Sequence, residues 1–223
     1  MLAARALIVG AGGLGSPAAY YLASAGVGTL VLADGDTVDL TNLQRQILHR
    51  VDSVGRPKAD SGRDTLAGIN PECRVEPRVE RLAGERLDEE VAQSDVVLDC
   101  SDNFATRHAI NRACVKFAKP LVSGAAIRFD GQVAVFDSRR TEAPCYHCLF
   151  PEAEDAEEVR CAVMGVFAPL TGIVGTVQAA EALKLLIGCG ESLAGRLLLL
   201  DGLAMEWRSI TVPRDAGCVV CSS

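Results

Sequence analysis

The sequence predicts an α/β protein with a doubly wound, mostly parallel sheet, and three observations point to it. Short apolar runs alternate with helix-patterned segments along most of the chain. The first run leads straight into a glycine-rich loop, Gly10-Ala-Gly-Gly-Leu-Gly15, as in Rossmann-like folds. With 223 residues, 49% of them hydrophobic, the chain can bury both faces of one large sheet.

Residues 5–9 read as a strand, and Ala18–Ala25 as a helix whose small apolar residues suit close packing on a sheet. Gly26-Val27-Gly28 stops that helix, and Thr29–Ala33 is a second buried strand, completing a βαβ unit expected to be right-handed. Further strands are expected at Arg74–Pro77, Val96–Cys100, Pro120–Gly124 and Gln132–Phe136, with helices near 57–68, 85–93 and 104–118. Residues 152–158 are acidic and poor in apolar side chains, the composition of a solvated loop. A long helix follows over about Thr171–Ile187, stopped by Gly188, and strands near 196–201 and 205–212 should form an antiparallel edge pair. No repeat or linker interrupts the pattern, so residues 1–223 are expected as one domain, with a nucleotide-binding half over about 1–130 and a second half over about 131–223.

The formal net charge of −7 speaks against a nucleic-acid binder, which needs a dense positive surface. No run approaches the roughly 20 uninterrupted apolar residues that cross a bilayer, so no membrane association is expected. The N-terminus passes directly into the first strand, and a cytoplasmic location is expected. Nine scattered cysteines do not form a disulfide framework; paired ones read as metal ligands, the others as core residues or nucleophiles.

Gly10, Gly12, Gly13 and Gly15 stand where the backbone can approach phosphates and the helix N-terminus offers them unpaired N–H groups. Asp34, 19 residues past Gly15 at the end of the second strand, can accept hydrogen bonds from ribose hydroxyls. Glycines kept only for tight packing are the structural alternative, and the fingerprint alone does not separate NAD from ATP. Asp36, Asn42, Arg45, Gln46, Lys58 and Asp102-Asn103 add a dense polar set near strand ends. Hydride transfer needs no such group. Displacement at phosphorus does: cations offset phosphate charge, and a carboxylate such as Asp102 can hold Mg²⁺.

Cys145-x-x-Cys148 and Cys218-x-x-Cys221 offer four thiolates, enough to close a tetrahedral Zn²⁺ shell, which marks a structural site. A redox disulfide in either pair is the alternative. His147 is surplus to such a set and is expected to be exposed. Cys161, just past the acidic stretch, is either a nucleophile able to reach an intermediate in the pocket or a small buried hydrophobe. Cys73, Cys100, Cys114 and Cys189 read as core or incidental residues.

These motifs together resemble a known family. Gly10-Ala-Gly-Gly-Leu-Gly-Ser16, Asp34-x-Asp36, Asn42-Leu-Gln-Arg-Gln46, Lys58, Asp99-Cys-Ser-Asp-Asn103, the two cysteine pairs and Gln178-Ala-x-Glu181 occur in the order found in the ThiF/MoeB/HesA group of ubiquitin-activating-type adenylyltransferases. The likeness covers essentially the whole chain. It implies an enzyme that uses Mg-ATP to adenylylate the C-terminal glycine of a ubiquitin-fold sulfur carrier protein, ThiS- or MoaD-like, ahead of thiocarboxylate formation for thiamine or molybdopterin synthesis. By motif position, Asp34 would hold the ribose, Asn42, Arg45 and Lys58 the phosphates and Asp102 the Mg²⁺. Cys161 resembles the cysteine that in some members captures the activated carrier or relays sulfur. The resemblance further implies a homodimer, carrier docking by the second half of the chain and a separate sulfur-donor protein.

Members of the group typically carry an Arg-Tyr-x-Arg-Gln helix ahead of the first strand that lends an arginine to the partner subunit's ATP site. The present sequence starts at that strand, so ATP is expected to be held without this arginine, or the dimer to differ, or the start to lie upstream. Thr41 stands where Ser is usual. Gly28–Asp34, Cys148–Pro151 and Trp207–Ser209 look more like the thiamine branch, and Pro120–Arg128 more like the molybdopterin branch. An NAD-dependent oxidoreductase would leave Arg45, Lys58, Asp102 and the cysteine pairs without a role. A weakly catalytic scaffold that still docks a carrier is the other alternative, suggested by the missing N-terminal helix and separated by substituting Arg45 or Asp102.

Overall fold

The structure, a computed structural model, describes residues 1–152 and 165–222. One eight-stranded sheet runs in the order β3-β2-β1-β4-β5-β6-β7-β8. Strands β1 (Arg5–Val9), β2 (Thr29–Ala33), β3 (Arg74–Arg78), β4 (Val96–Asp99) and β5 (Pro120–Ile127) are parallel. Strands β6 (Asp130–Asp137), β7 (Arg196–Asp201) and β8 (Glu206–Thr211) continue the sheet antiparallel. The expected C-terminal pair is therefore the outer part of a longer antiparallel run, because β5 and β6 form a hairpin. Its two-residue turn, Arg128-Phe129, lacks the glycine or asparagine that marks such turns in a sequence. Arg128 takes the left-handed conformation itself (φ +50°), braced by Arg128 N–H donating to Gly165 O and Phe167 N–H donating to Arg128 O.

Alternation along each parallel strand divides the core. Ala6, Ile8, Leu30, Leu32, Val96 and Leu98 face one side, while Leu7, Val9, Val31, Ala33 and Val97 face the other. The first side is covered by α1 (Gly15–Ser24), α2 (Lys58–Ala67) and α6 (Ala168–Ile187). The second is covered by α3 (Gly84–Gln93), α4 (Phe104–Lys116) and the short α5 (Tyr146–Leu149). Both α1 and α6 begin earlier than their apolar patterns suggest. Pro17 and Pro169 lie in the first turns, where a missing N–H leaves no helical bond unmade. Gly188 ends α6 in the left-handed conformation, φ +71°, as the sequence predicts.

By length and composition α6 can cross a membrane, yet it lies along the sheet, burying Leu170, Val174, Ala179 and Ala182 in the core. Burying Leu170 and Val174 stabilises that packing by about 1.5–3 kcal/mol each. Across the strand ends beneath it, buried Gln178 of α6 donates through Nε2 to Asp99 O at 2.8 Å and Val122 O at 3.2 Å, tying β4 to β5.

Candidate functional site

Because β1 pairs with both β2 and β4, the chain leaves it first in one direction and later in the other, opening a crevice at the C-terminal strand ends. A cavity of about 380 Å³ occupies that crevice. Of the residues expected at a nucleotide site, Gly10, Gly12, Gly13, Asp34, Asp36, Arg45, Gln46, Lys58, Asp102 and Asn103 line it.

The glycines divide by role. A Cβ on Gly15 would lie 1.8 Å from Gly10 O, and one on Gly10 would lie 2.6 Å from Cys100 O, so both permit close backbone packing. Gly10 also adopts φ +101°. A Cβ on Gly12 would meet nothing nearer than Gln46 Nε2 at 3.5 Å. Packing therefore accounts for Gly10 and Gly15, while Gly12 leaves its space to the cavity.

Asp34 organises the loop before any ligand arrives. Its Oδ2 accepts from Ala11 N–H and its Oδ1 from Asp36 N–H, both at 2.8 Å. Lys58, at the start of α2, is 6% exposed, and its Nζ lies 3.2 Å from Asp36 Oδ2. Arg81, in the β3–α3 connection, reaches the other oxygen of Asp36 at 3.0 Å. Burial raises the Asp36 pKa, but hydrogen bonds from Arg81 and Lys58 outweigh it and hold the carboxylate below its ordinary range.

Leu40–Asn42 forms a short 3-10 helix capped by Asp39, whose Oδ1 accepts from Thr41 N–H and its hydroxyl at 2.7 and 2.6 Å. Residues through Gln46 continue it as a turn, with Arg45 and Gln46 N–H donating to Asn42 O. Asn42 does not line the cavity; its Oδ1 accepts from Arg45 Nη2 at 2.8 Å and aims the guanidinium. Gln46 is 5% exposed, and its Oε1 has no hydrogen-bond partner among the described residues. A buried acceptor left open at a cavity wall fits a ligand that donates to it.

At the end of β4, fully buried Asp99 accepts from Ser101 N–H and Oγ through Oδ1 and from Ser123 Oγ through Oδ2, fixing the loop that carries Asp102. Asp102 is exposed at the rim. Asn103 spends its Oδ1 on capping α4 through Thr106 N–H at 2.8 Å. Cys100, expected as a core residue, is buried and also forms part of the cavity wall.

The sequence reading missed Arg81, Arg107, Thr171 and His49. Arg107 is nearly buried and donates to Ser101 O at 2.7 Å. The rule that singled out Asp102, a charge just past a strand end, applies equally to Arg81. His49 had no such signal: it lines no strand end and reaches the loop from beneath.

Cys145, Cys148, Cys218 and Cys221 converge below α4, with ligand atoms within 4.8 Å of one another. Sγ separations of 3.7 Å for Cys145–Cys218, 3.9 Å for Cys145–Cys148 and 3.5 Å for Cys148–Cys221 match the ~3.8 Å edge of a tetrahedron with 2.3 Å metal–sulfur bonds. All four are free thiols rather than disulfides. Burial pushes the Cys145 thiol up, whereas at Cys218 burial is outweighed by the Cys221 and Val220 amides, which bring it to about 6. His147, expected to be exposed, is instead half-buried with Nδ1 3.6 Å from Cys218 Sγ, because Cys145 starts a helical turn that folds the ring back over the cluster. Cys73 and Cys114 are buried, and Cys189 is exposed. Cys161 and all but the first residue of the acidic stretch lie outside the described residues; Glu152 pairs with Arg112 at 2.7 Å.

Fold and site define a class: a doubly wound α/β protein with a glycine-lined, charged crevice at its strand ends and a four-cysteine cluster suited to a metal ion. The chain belongs to the ThiF family, whose model matches residues 1–220. It is 48% identical over 221 residues to the sulfur carrier protein ThiS adenylyltransferase of Escherichia coli (strain K12), covering 99% of this chain and 87% of that protein. It is 46% identical over 217 residues to the molybdopterin-synthase adenylyltransferase of the same organism, covering 97% and 86%. Among solved structures, E. coli MccB with succinimide superposes with a TM-score of 0.86 at 22% identity, which is a likeness of fold. That match covers 99% of this chain, which spans just under two thirds (66%) of the length of MccB.

Proposed function

We propose that this chain is an ATP-dependent adenylyltransferase acting on the C-terminal glycine of a ubiquitin-fold sulfur carrier protein, ThiS- or MoaD-like. The observation that carries the reading is the pairing of a buried lysine, Lys58, and an aimed arginine, Arg45, with a glycine loop whose Gly12 leaves its space free. Two cations at that place serve a polyphosphate, and the relatives named above support the acceptor class.

In this reading a carboxylate oxygen of the carrier's terminal glycine bonds to the α-phosphorus of ATP as the bond to the bridging oxygen breaks. The electron pair leaves with pyrophosphate, and an acyl-adenylate remains. Asp34 holds the ribose hydroxyls through its remaining lone pairs while continuing to anchor Ala11. The Gly12 and Gly13 amides and the N-terminus of α1 face the phosphates. Arg45 and Lys58 offset the charge that builds on the departing pyrophosphate. Asp102, exposed at the rim, would hold Mg²⁺, which when bound would further neutralise the phosphates. Zn²⁺ held by Cys145, Cys148, Cys218 and Cys221 would tie the chain's last residues to its middle without an open coordination position.

The finer expectations stay within this proposal: one domain in two functional halves, a homodimer, a separate sulfur donor, a cytoplasmic location and a relay role for Cys161. ATP–pyrophosphate exchange with Mg²⁺ tests the reading, run with a ThiS-type carrier, a MoaD-type carrier and no carrier. Exchange that depends on one carrier supports the reaction and selects the pathway. Silence with both, alongside tight NADH binding, would overturn it.

A further inference from the structure

His49 is one of three histidines in the chain and takes no part in the reading above. It is 5% exposed and wedged between the glycine loop and α2. Its Nε2 lies 2.8 Å from Ala11 O, and its Nδ1 lies 3.0 Å from Ser61 Oγ. A carbonyl can only accept, so Nε2 carries the proton. In the neutral ring Nδ1 then accepts from the Ser61 hydroxyl. Burial lowers the pKa of His49 and favours that neutral ring; Asp34 and Lys58 are the charged groups acting on it, in opposite senses.

The contact completes a circuit. Ala11 is held on both sides, its N–H by Asp34 Oδ2 and its C=O, part of the Ala11–Gly12 peptide, by His49. Asp34 holds Asp36 N–H, and Asp36 O accepts from Lys58 N–H at 2.9 Å while its carboxylate meets Lys58 Nζ. Lys58 and Ser61 are one turn apart on α2, and Ser61 returns the chain of bonds to His49. The loop presented to the phosphates, the carboxylate placed for the ribose and the lysine placed for the leaving group thus share one closed frame.

We infer that His49 is a positioning residue for nucleotide binding, its Nε2–H fixing the Ala11–Gly12 peptide so that the Gly12 and Gly13 amides face the phosphates in register with Lys58. It touches no reacting atom and acts through the loop. The inference rests on the adenylyltransferase reading for its consequence but not for its geometry.

The test compares the parent with His49→Phe, which keeps a ring but no hydrogen bonds, and His49→Gln, whose amide can donate to Ala11 O and accept from Ser61. Without nucleotide, amide hydrogen exchange at Ala11, whose N–H is bonded to Asp34 Oδ2, should quicken by about tenfold or more in His49→Phe, the scale of leaving a buried carbonyl unpaired, while sheet amides stay unchanged. In pyrophosphate exchange, KM for ATP should rise by about tenfold with kcat changed far less, and His49→Gln should recover most of both effects. Loop exchange and KM within twofold of the parent in His49→Phe would overturn the inference, as would a Gln variant no better than Phe. Should His49→Phe fail to fold, Ser61→Ala takes its place, and its loop amides should quicken by about two- to threefold; no change would count against the inference. A parent silent with both carriers that also binds NADH tightly would sink the adenylyltransferase reading, and the loop-amide comparison would still decide the role of His49.

Discussion

The crevice at the strand ends draws its lining from positions as distant as Gly10 and Thr171, whereas the cysteine cluster uses two tight turns, 145–148 and 218–221. The crevice is held open by hydrogen bonds made before any ligand arrives, with Asp34, Asp99 and His49 committed to backbone or hydroxyl groups around it. It nevertheless leaves Gln46 Oε1 unpartnered and Gly12 without a side chain. The cluster has the opposite logic, its four sulfurs facing only one another, apart from flanking groups such as His147 and Asn111. A site meant to exchange its ligand keeps unsatisfied groups on a rigid frame; a site meant to hold one permanently closes on itself. If that contrast is right, the two regions can be broken separately.

The largest effect should come from the crevice. Lys58→Ala should lower carrier-dependent pyrophosphate exchange by about 10²-fold or more, the usual scale for one well-placed charge at a transition state. Arg45→Ala should behave alike, and rates within threefold of the parent would remove both from the phosphate role. Circular dichroism should report an intact fold, since Lys58 is replaced at the first position of α2.

Next comes a pair of glycine variants that separates binding from packing. Gly15→Ala forces a methyl onto Gly10 O and should destabilise the protein by about 1–3 kcal/mol in denaturant titration. Gly12→Ala should leave the unfolding midpoint near the parent's while raising KM for ATP by about tenfold, a loss of about 1.4 kcal/mol in binding. If the Gly12 variant unfolds as readily as the Gly15 variant, the division between the two glycines is wrong.

The cysteine cluster should respond the other way round. Cys148→Ser or a strong chelator should lower zinc content, measured by atomic absorption, and with it the unfolding midpoint. KM for ATP in the protein that remains folded should stay within about threefold of the parent, well below the effect of removing a pocket charge. A Cys148→Ser protein with full zinc would sink the tetrathiolate assignment.

The smallest effect concerns pH. The folded-state pKa of His49 lies below its ordinary 6.5, so the unfolded chain binds its proton first as pH falls. The stability from neutral His49 is therefore complete above pH 6.5 and declines below it, levelling once the folded-state value is passed. His108 is lowered by burial too, so its contribution has the same sign. The difference between parent and His49→Gln in thermal unfolding from about pH 5 to 8 isolates the His49 share. A difference independent of pH would place His49 in a more solvated setting than the structure shows.

Much of this was legible in the chain. Apolar runs ending in Gly10, Asp34 and Cys100 revealed both the parallel strands and the end of the sheet that carries chemistry, because strand order and period are local properties. The two C-x-x-C spacings disclosed the four cysteines that converge, for the same reason. What the chain alone did not reveal was decided across distance. The β5–β6 hairpin turns on Arg128 in a conformation that its side chain does not favour, and only Gly165 and Phe167 bracing it from elsewhere make it visible. His147 lies against Cys218 because α5 folds it there, which no count of ligands anticipates. Asn42 and Gly15, matched as nucleotide contacts, do not line the cavity: Asn42 accepts from Arg45 and Gly15 leaves room for the Gly10 carbonyl, while Arg81 and His49 entered from other segments. Sequence spacing determines which groups a strand end can offer. Only packing decides which of them face the ligand and which hold the others still, because the same hydrogen bond can be made to a neighbour or left open to solvent.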